Sequence, residues 1–293
     1  MAVKVGFIGL GAIGRPMAAH VVDAFDTAVW NRTAARAASF VAEYGGRQAA
    51  NAAELVSGVD VVITCLPTSV EVAAVLGGVL GAFQRGQLVI DCTSGDPAGS
   101  RALAARLDEV GVGFVDAPVS GGTSGAVAGT LTVMLGGPEA QAGRAKEFVA
   151  PFAGKIVHVG PVGTAHALKA INNALLAVNI QAAGEGLAAL VKLGVPAAKA
   201  LEVINASSGR SNVTENLMAQ RVVSRAWPRT FRLALLDKDV GIALQVLHDT
   251  GVPSDAIGMA KAVYGKARAV LGEEADHVEL VKEIERAAAV EIK

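Results

Sequence analysis

Cysteine is scarce in this 293-residue chain, which has Cys65 and Cys92 and no others. Neither belongs to a CxxC pair or stands at metal-ligand spacing from a histidine. A disulfide framework and a thiolate zinc site are therefore excluded, and no metal site is expected. Both cysteines read as reduced packing residues. Aromatic residues are also few, 4% against 52% hydrophobic residues overall. The core must then come from Ala, Val, Leu and Ile, a palette suited to parallel strands under closely packed helices. Charge of one sign is not in excess: the formal net charge is −1, with no block of like charge. That removes the electrostatic footprint of a nucleic-acid or membrane-surface binder. Mean hydropathy is +0.44, yet charge, Asn, Gly or Pro is expected to interrupt each apolar stretch before the ~20 residues a membrane span needs. A strand signal begins at once, at Val3, which leaves no room for a signal peptide. A cytoplasmic location is expected.

Glycine is what the chain has in quantity, 34 residues, and the first few stand in a pattern. The apolar run Val3 to Ile8 leads into Gly9, Gly11 and Gly14, a G-x-G-x-x-G between a predicted strand and a predicted helix. The first glycine permits a tight turn, the second lets a pyrophosphate approach the backbone, and the third lets helix and strand pack closely. The helix N-terminus adds free N–H groups and a positive dipole end. Gly9, Leu10, Gly11, Ala12, Ile13 and Gly14 are thus the expected cradle of a dinucleotide. The choice of dinucleotide turns on the next strand, Thr27 to Trp30. An NAD-binding strand usually ends in Asp or Glu to bond the ribose hydroxyls. This one ends Asn31-Arg32-Thr33. No carboxylate repels a 2′-phosphate, Arg32 offers a planar donor fork, and Asn31 and Thr33 offer neutral donors. NADP is expected, with NAD as the lesser alternative.

Strand and helix signals alternate through the first half. Val59–Cys65, Gln87–Cys92, Gly113–Asp116, Leu131–Leu135 and Lys155–Val159 read as strands. Ala34–Tyr44, Ser69–Leu76, Pro97–Val110 and Pro138–Val149 read as helices. The alternation predicts a doubly wound, mostly parallel sheet, an α/β domain of the Rossmann type over 1–163. Strand signals then stop. His166 to Leu193 is one long apolar-periodic stretch, and the rest reads as helices, an all-α domain over 164–293 joined by that long helix. A stretch of this length invites packing against a second subunit.

Four segments beyond the fingerprint can carry chemistry. Cys65-Leu66-Pro67-Thr68-Ser69 and Asp91-Cys92-Thr93-Ser94 each close a predicted strand, at the sheet edge that faces ligands in open α/β folds. Helix N-capping explains their Ser and Thr about equally well. Ser120-Gly121-Gly122 exposes successive backbone N–H groups as a nest for a carboxylate or phosphate. Lys169 and Asn173 are i and i+4 on the long stretch and share one helix face. A lysine on an apolar stripe is suited to acid–base work, although most such lysines snorkel. Phe231 to Asp239 reads, unaided, as a charged helix start.

Taken in order, GFIGLGAIGRPM, NRT, DAPVSGGTSGAVAGTLTVMLGG, GTAHALKAINN and FRLALLDKD resemble the β-hydroxyacid dehydrogenase family, which includes 3-hydroxyisobutyrate dehydrogenase and several semialdehyde reductases. The resemblance covers essentially the whole chain. It implies a Rossmann domain, a helical domain and a homodimer or homotetramer. It implies that Lys169 is the catalytic acid/base and that Ser120, Gly121, Gly122, Asn173 and Lys238 hold a small carboxylate substrate. It further implies dinucleotide contacts from Leu66, Pro67, Glu71, Ser94, Phe231 and Lys238. Three positions depart from the family's pattern: Ile13 replaces a methionine, Ala165 a glycine and Glu71 a neutral residue. The five histidines match no catalytic position, and His166 alone lies near the lysine.

The expected activity is reversible hydride transfer between NADP(H) and a small β-hydroxy acid or its semialdehyde. An imine reductase on the same fold is the nearest rival, and Lys169 argues against it. A non-catalytic NADP-binding scaffold is the rival from another class, and the Lys169–Asn173 face argues against that.

Overall fold

The computed structural model describes residues 3–293. Nine strands and twelve α-helices follow in chain order: β1 Lys4–Ile8, α1 Gly14–Ala24, β2 Asp26–Trp30, α2 Ala34–Tyr44, β3 Arg47–Gln48, α3 Ala52–Ser57, β4 Val61–Thr64, α4 Ser69–Gly77, β5 Leu88–Asp91, α5 Pro97–Glu109, β6 Gly113–Asp116, β7 Val119–Ser120, α6 Gly122–Ala128, β8 Leu131–Gly136, α7 Glu139–Val149, β9 Ala153–Gly160, α8 Thr164–Lys192, α9 Ala197–Asn205, α10 Leu233–Thr250, α11 Asp255–Leu271 and α12 Leu280–Ala288. The chain divides into two compact units, Met1–Lys169 and Ala170–Lys293.

The first unit is built on one sheet of order β3-β2-β1-β4-β5-β6-β8-β7, with β9 on β8. Pairing is parallel from β3 through β6. It turns antiparallel where β8 meets β6 and β7. The reversal of strand order lies between β1 and β4, the place where such sheets open a crevice at the strand C-termini. Alternate residues of each strand go to opposite faces. Val5, Phe7, Val61, Ile63, Leu88 and Ile90 pack with Met17, Phe40 and Phe148. Val62, Val89 and Phe114 pack on the other side with Leu55, Leu76 and Leu107. Both faces are covered, so the strands are apolar throughout and show no clean alternation in sequence.

The second unit is helical, as its sequence predicts. Beyond Gly163 the described residues add one isolated antiparallel bridge, between Arg232 and Asp276, and no further named strand. Ala174, Ile180, Leu187, Met218, Leu236, Val240 and Tyr264 form its core. Residues Val213–Val223 form a π-type helix. Helix α8 runs from one unit into the other. By length and composition alone it could cross a membrane, its most apolar window averaging 1.5 in hydropathy. Lys169, Asn172, Asn173 and Asn179 interrupt its apolar run.

Short elements escaped the sequence reading: β3, α3, β7 and α6. Residues 122–128, which follow the Ser120-Gly121 turn, form the brief helix α6, which ends at Gly129 in the left-handed region.

Candidate active site

Two of the three fingerprint glycines leave no room for a side chain. Gly9 has φ +106°, and a Cβ there would lie 2.2 Å from the Cys65 carbonyl oxygen. A Cβ on Gly14 would lie 2.0 Å from the Gly9 oxygen. Gly11 is the opposite case, with nothing within 4 Å of its notional Cβ. It opens onto space, as a backbone that receives a pyrophosphate must. The start of α1 behind it has no side-chain cap and no acidic residue in its first turn. Its N–H groups and positive dipole end are uncommitted to protein anions, so the residues present fit a dinucleotide phosphate.

At the end of β2 the Asn31 side chain turns back to the loop. Its Oδ1 accepts the Leu10 N–H at 3.0 Å, and its Nδ2 donates to the Thr33 carbonyl at 3.1 Å. Arg32 and Thr33 are exposed. Across from them Glu71 accepts the Thr68 hydroxyl. That bond chiefly holds the Glu71 carboxyl below its ordinary range, burial opposes it, and the Arg32 charge adds a smaller lowering effect. Asp91 shapes the neighbouring loops from beneath. Its Oδ1 accepts the Thr64 hydroxyl at 2.7 Å and the Thr93 N–H at 3.1 Å, while Thr93 Oγ1 accepts the Leu66 N–H. Leu66, Pro67 and Ser94 stand on these loops. Burial, with Asp91 adding, pushes the Cys65 thiol up to about 12, so Cys65 is a packing thiol and no nucleophile at neutral pH.

Ser120 ends β7, and Gly121 and Gly122 follow with φ +136° and +65°. Lys169 lies near the start of α8 and is 9% exposed. The beginning of that helix is clamped from the sheet. Fully buried Asp116, at the end of β6, accepts the Gly163 N–H on Oδ1 at 2.8 Å and the His166 N–H on Oδ2 at 2.9 Å. Burial raises the Asp116 carboxyl above its ordinary value, while His166 and the two backbone bonds pull it down. Ala165 sits fully buried in this first turn.

Within the second unit Asn173 and Lys238 meet on a shared carboxylate. Asn173 Nδ2 donates to Asp239 Oδ2 at 2.6 Å, and Lys238 Nζ lies 3.1 Å from Asp239 Oδ1. Asn172 Nδ2 donates to Asn173 Oδ1, so the amide is oriented from both ends. Phe231 is half-buried beside the His277 ring, its carbonyl accepting the His277 N–H at 2.9 Å.

Two family models match the chain. The NAD-binding domain of 6-phosphogluconate dehydrogenase matches residues 4–160, and the NAD-binding region of NADP-dependent 3-hydroxyisobutyrate dehydrogenase matches residues 163–284. The 2-(hydroxymethyl)glutarate dehydrogenase of Eubacterium barkeri is 36% identical over 277 residues, covering 93% of this chain and 92% of the relative. The chain belongs to the β-hydroxyacid dehydrogenase family. The mitochondrial 3-hydroxyisobutyrate dehydrogenase of Homo sapiens is 32% identical over 269 residues, 89% of this chain and 80% of that one. The structure of the Mycobacterium tuberculosis 3-hydroxyisobutyrate dehydrogenase with L-serine superposes with a TM-score of 0.88 at 31% identity, over 97% of this chain and 99% of that one.

As a member of the β-hydroxyacid dehydrogenase family the protein is an oxidoreductase with a nicotinamide cofactor. The reading of its sequence passed over Asp116, Ser100 and Asp239 as individual residues. Asp239 was visible only as one charge in the run LLDKDV, and Asp116 only as the head of DAPVSGG. Of the histidines that match no catalytic position, half-buried His20 and exposed His158 place their Nε2 atoms 3.1 and 2.8 Å from the carbonyls of Ala126 and Gly137.

Proposed function

We propose that the protein transfers a hydride between NADP(H) and a small β-hydroxy acid or its semialdehyde, with Lys169 as general acid/base. The observation that carries this reading is the α8 face on which buried Lys169 and buried Asn173 stand one turn apart. The nicotinamide, when bound, supplies or accepts the hydride. Lys169 delivers its Nζ proton to the carbonyl oxygen in reduction and removes it from the hydroxyl in oxidation. Ser120 and the N–H groups of Gly121 and Gly122 hold the carboxylate, and Asn173 and Lys238 orient the remainder. Gly9 to Gly14 cradle the pyrophosphate, and Asn31, Arg32 and Thr33 receive the ribose end, Arg32 pairing with the 2′-phosphate. Leu66, Pro67, Glu71, Ser94 and Phe231 complete the dinucleotide contacts.

We take residues 1–163 as the NADP-binding domain and 164–293 as the domain for substrate and oligomerisation. The protein works in the cytoplasm as a homodimer or homotetramer. The family relationship and the buried lysine together disfavour an imine reductase and a non-catalytic scaffold. The deciding experiment is a screen of NADPH oxidation with glyoxylate, succinic semialdehyde, tartronate semialdehyde and methylmalonate semialdehyde, with NADP reduction by 3-hydroxyisobutyrate and L-serine in the other direction. Turnover of at least one, lost in Lys169→Ala, is expected. Turnover of none by a protein that binds NADPH would leave the scaffold reading in its place.

A further inference from the structure

His166 stands one helical turn before Lys169, and it is 1% exposed. A buried imidazole needs partners for its ring nitrogens. Its Nδ1 lies 2.6 Å from Ser100 Oγ on α5. Ser100 has one hydroxyl proton, and that proton goes to the Asp96 carbonyl at 3.0 Å. The Ser100 oxygen therefore accepts, and His166 donates from Nδ1–H. His166 Nε2 has no hydrogen-bond partner among the described residues. The ring is thus held through one nitrogen and by its shape.

The shape is matched closely. A Cβ on Gly95 would lie 2.7 Å from His166 Cε1, 2.9 Å from Nδ1 and 2.6 Å from Ser69 Oγ. The backbone at Gly95 therefore rests against the edge of the ring. Next to it the Asp96 N–H donates to Ser69 Oγ at 2.7 Å, which joins the start of α4 to the same cluster. The Asp116 carboxylate fixes the main chain of the same helical turn. The first turn of α8 is consequently held from three directions: by β6 through Asp116, by α5 through Ser100, and by the loop after β5 through Gly95. That loop carries Ser94, and the helix carries Lys169.

We infer that His166 is a positioning residue, whose Ser100-anchored ring sets the depth and rotation of the α8 first turn against the Ser94–Gly95 loop and so places Lys169. This inference rests on the proposed role of Lys169. A rigid helix passes a displacement of one turn directly to the next, about 4.5 Å along the axis. Misplacement of a reacting group by about 1 Å can cost on the order of a hundredfold in rate. Imidazole suits the task because it combines a short-reach donor with a flat, stiff body. Phenylalanine keeps the body and loses the donor. Asparagine keeps a donor close to the Nδ1 position and loses most of the body.

The test compares wild type with His166→Phe, His166→Asn and Ser100→Ala. The first readout is competitive acetylation of the lysines in the protein without substrate, read by mass spectrometry as Lys169 against exposed Lys199. The second is an NADPH fluorescence titration. The third is kcat per NADPH-binding site with whichever of the screened substrates turns over. His166→Phe and Ser100→Ala are expected to change Lys169 acetylation several-fold and to lower kcat by about ten- to a hundredfold. NADPH affinity should stay within about threefold, and His166→Asn should recover part of both effects. Unchanged Lys169 acetylation in a folded Ser100→Ala protein overturns the inference, as does a loss of activity that follows NADPH binding alone. If His166→Phe does not fold, Ser100→Ala decides by itself. If no substrate turns over, the proposed reaction fails while the acetylation result still decides the role of His166.

Discussion

The Asn31 side chain accepts the Leu10 N–H at 3.0 Å, so the residue that ends β2 helps to shape the glycine-rich loop. Where a carboxylate usually meets ribose hydroxyls, a neutral amide is committed to the backbone and Arg32 is left exposed beside it. Arg32→Ala should weaken NADPH binding by about 1.5–3 kcal/mol, the worth of a charge-assisted bond, or on the order of ten- to a hundredfold in Kd. NADH binding should change little. Titration of both cofactors against both proteins checks this, and equal wild-type affinity for the two would sink it. Asn31→Asp keeps an acceptor for Leu10 and adds a charge, so it should weaken NADPH more than NADH.

Replacing the lysine separates chemistry from binding. General acid–base groups contribute about 10²–10⁴-fold, so Lys169→Ala should lose kcat in or beyond that range while NADPH binding survives. Lys169→Arg should fail as well, because a guanidinium does not release its proton at working pH. Steady-state kinetics with a fluorescence titration on each variant gives the answer. A near-normal kcat in Lys169→Ala would remove this residue from the mechanism.

The carboxylate of Asp239 joins Asn173 to Lys238. Asp239→Ala leaves the buried Asn173 amide without its acceptor, at a cost of about 1–3 kcal/mol. Asp239→Asn retains an oxygen for that amide and should keep most of the stability. Asn173→Ala should raise KM more than it lowers kcat. Thermal melts and kinetics on the three proteins test this, and an Asp239→Ala melt equal to wild type would contradict it.

Asp276 predicts a pH dependence. Burial by itself would raise its carboxyl, but His277 and the N–H groups of Phe231 and Thr230 outweigh burial and hold it far below the carboxylate range. A folded-state value below the unfolded one, about 3.9, stabilises the fold at all pH above that value. The contribution is lost as pH falls from there toward the folded value. The difference in urea midpoint between wild type and Asp276→Asn should be fully developed by about pH 5 and shrink below about pH 4. A difference that grows on acidification would show the sign to be wrong.

Self-association is expected from α8. One third of its most apolar window is buried within the single chain, 33%, and Leu168 and Leu175 are 44% and 55% exposed. Leu168 and Leu175 stand seven residues apart, two turns along one helix face, where a second helix can cover both. Light scattering at micromolar concentration should give a dimer or a dimer of dimers, and a monomer would contradict the expectation.

Much of this protein was legible in its sequence because the relevant physics is local. An apolar run, three glycines and a helix start lie within a few residues of one another, so β1, the fingerprint loop and α1 could be read together. Helix α2 and strand β6 have the bounds that their patterns predict, Ala34–Tyr44 and Gly113–Asp116. Short elements such as β3 and α6 were not legible, because two to seven residues give too little periodicity to separate from a loop. What the tertiary structure alone decided is which distant side chains share a hydrogen bond. Asp116 reaches the His166 N–H across 50 residues, and Ser100 reaches the His166 ring and Asp239 reaches Asn173 across 66 each. No repeat or spacing encodes such pairs. They exist because parallel strands bring their C-terminal ends to one edge of the sheet, and because helices far apart in sequence pack side by side.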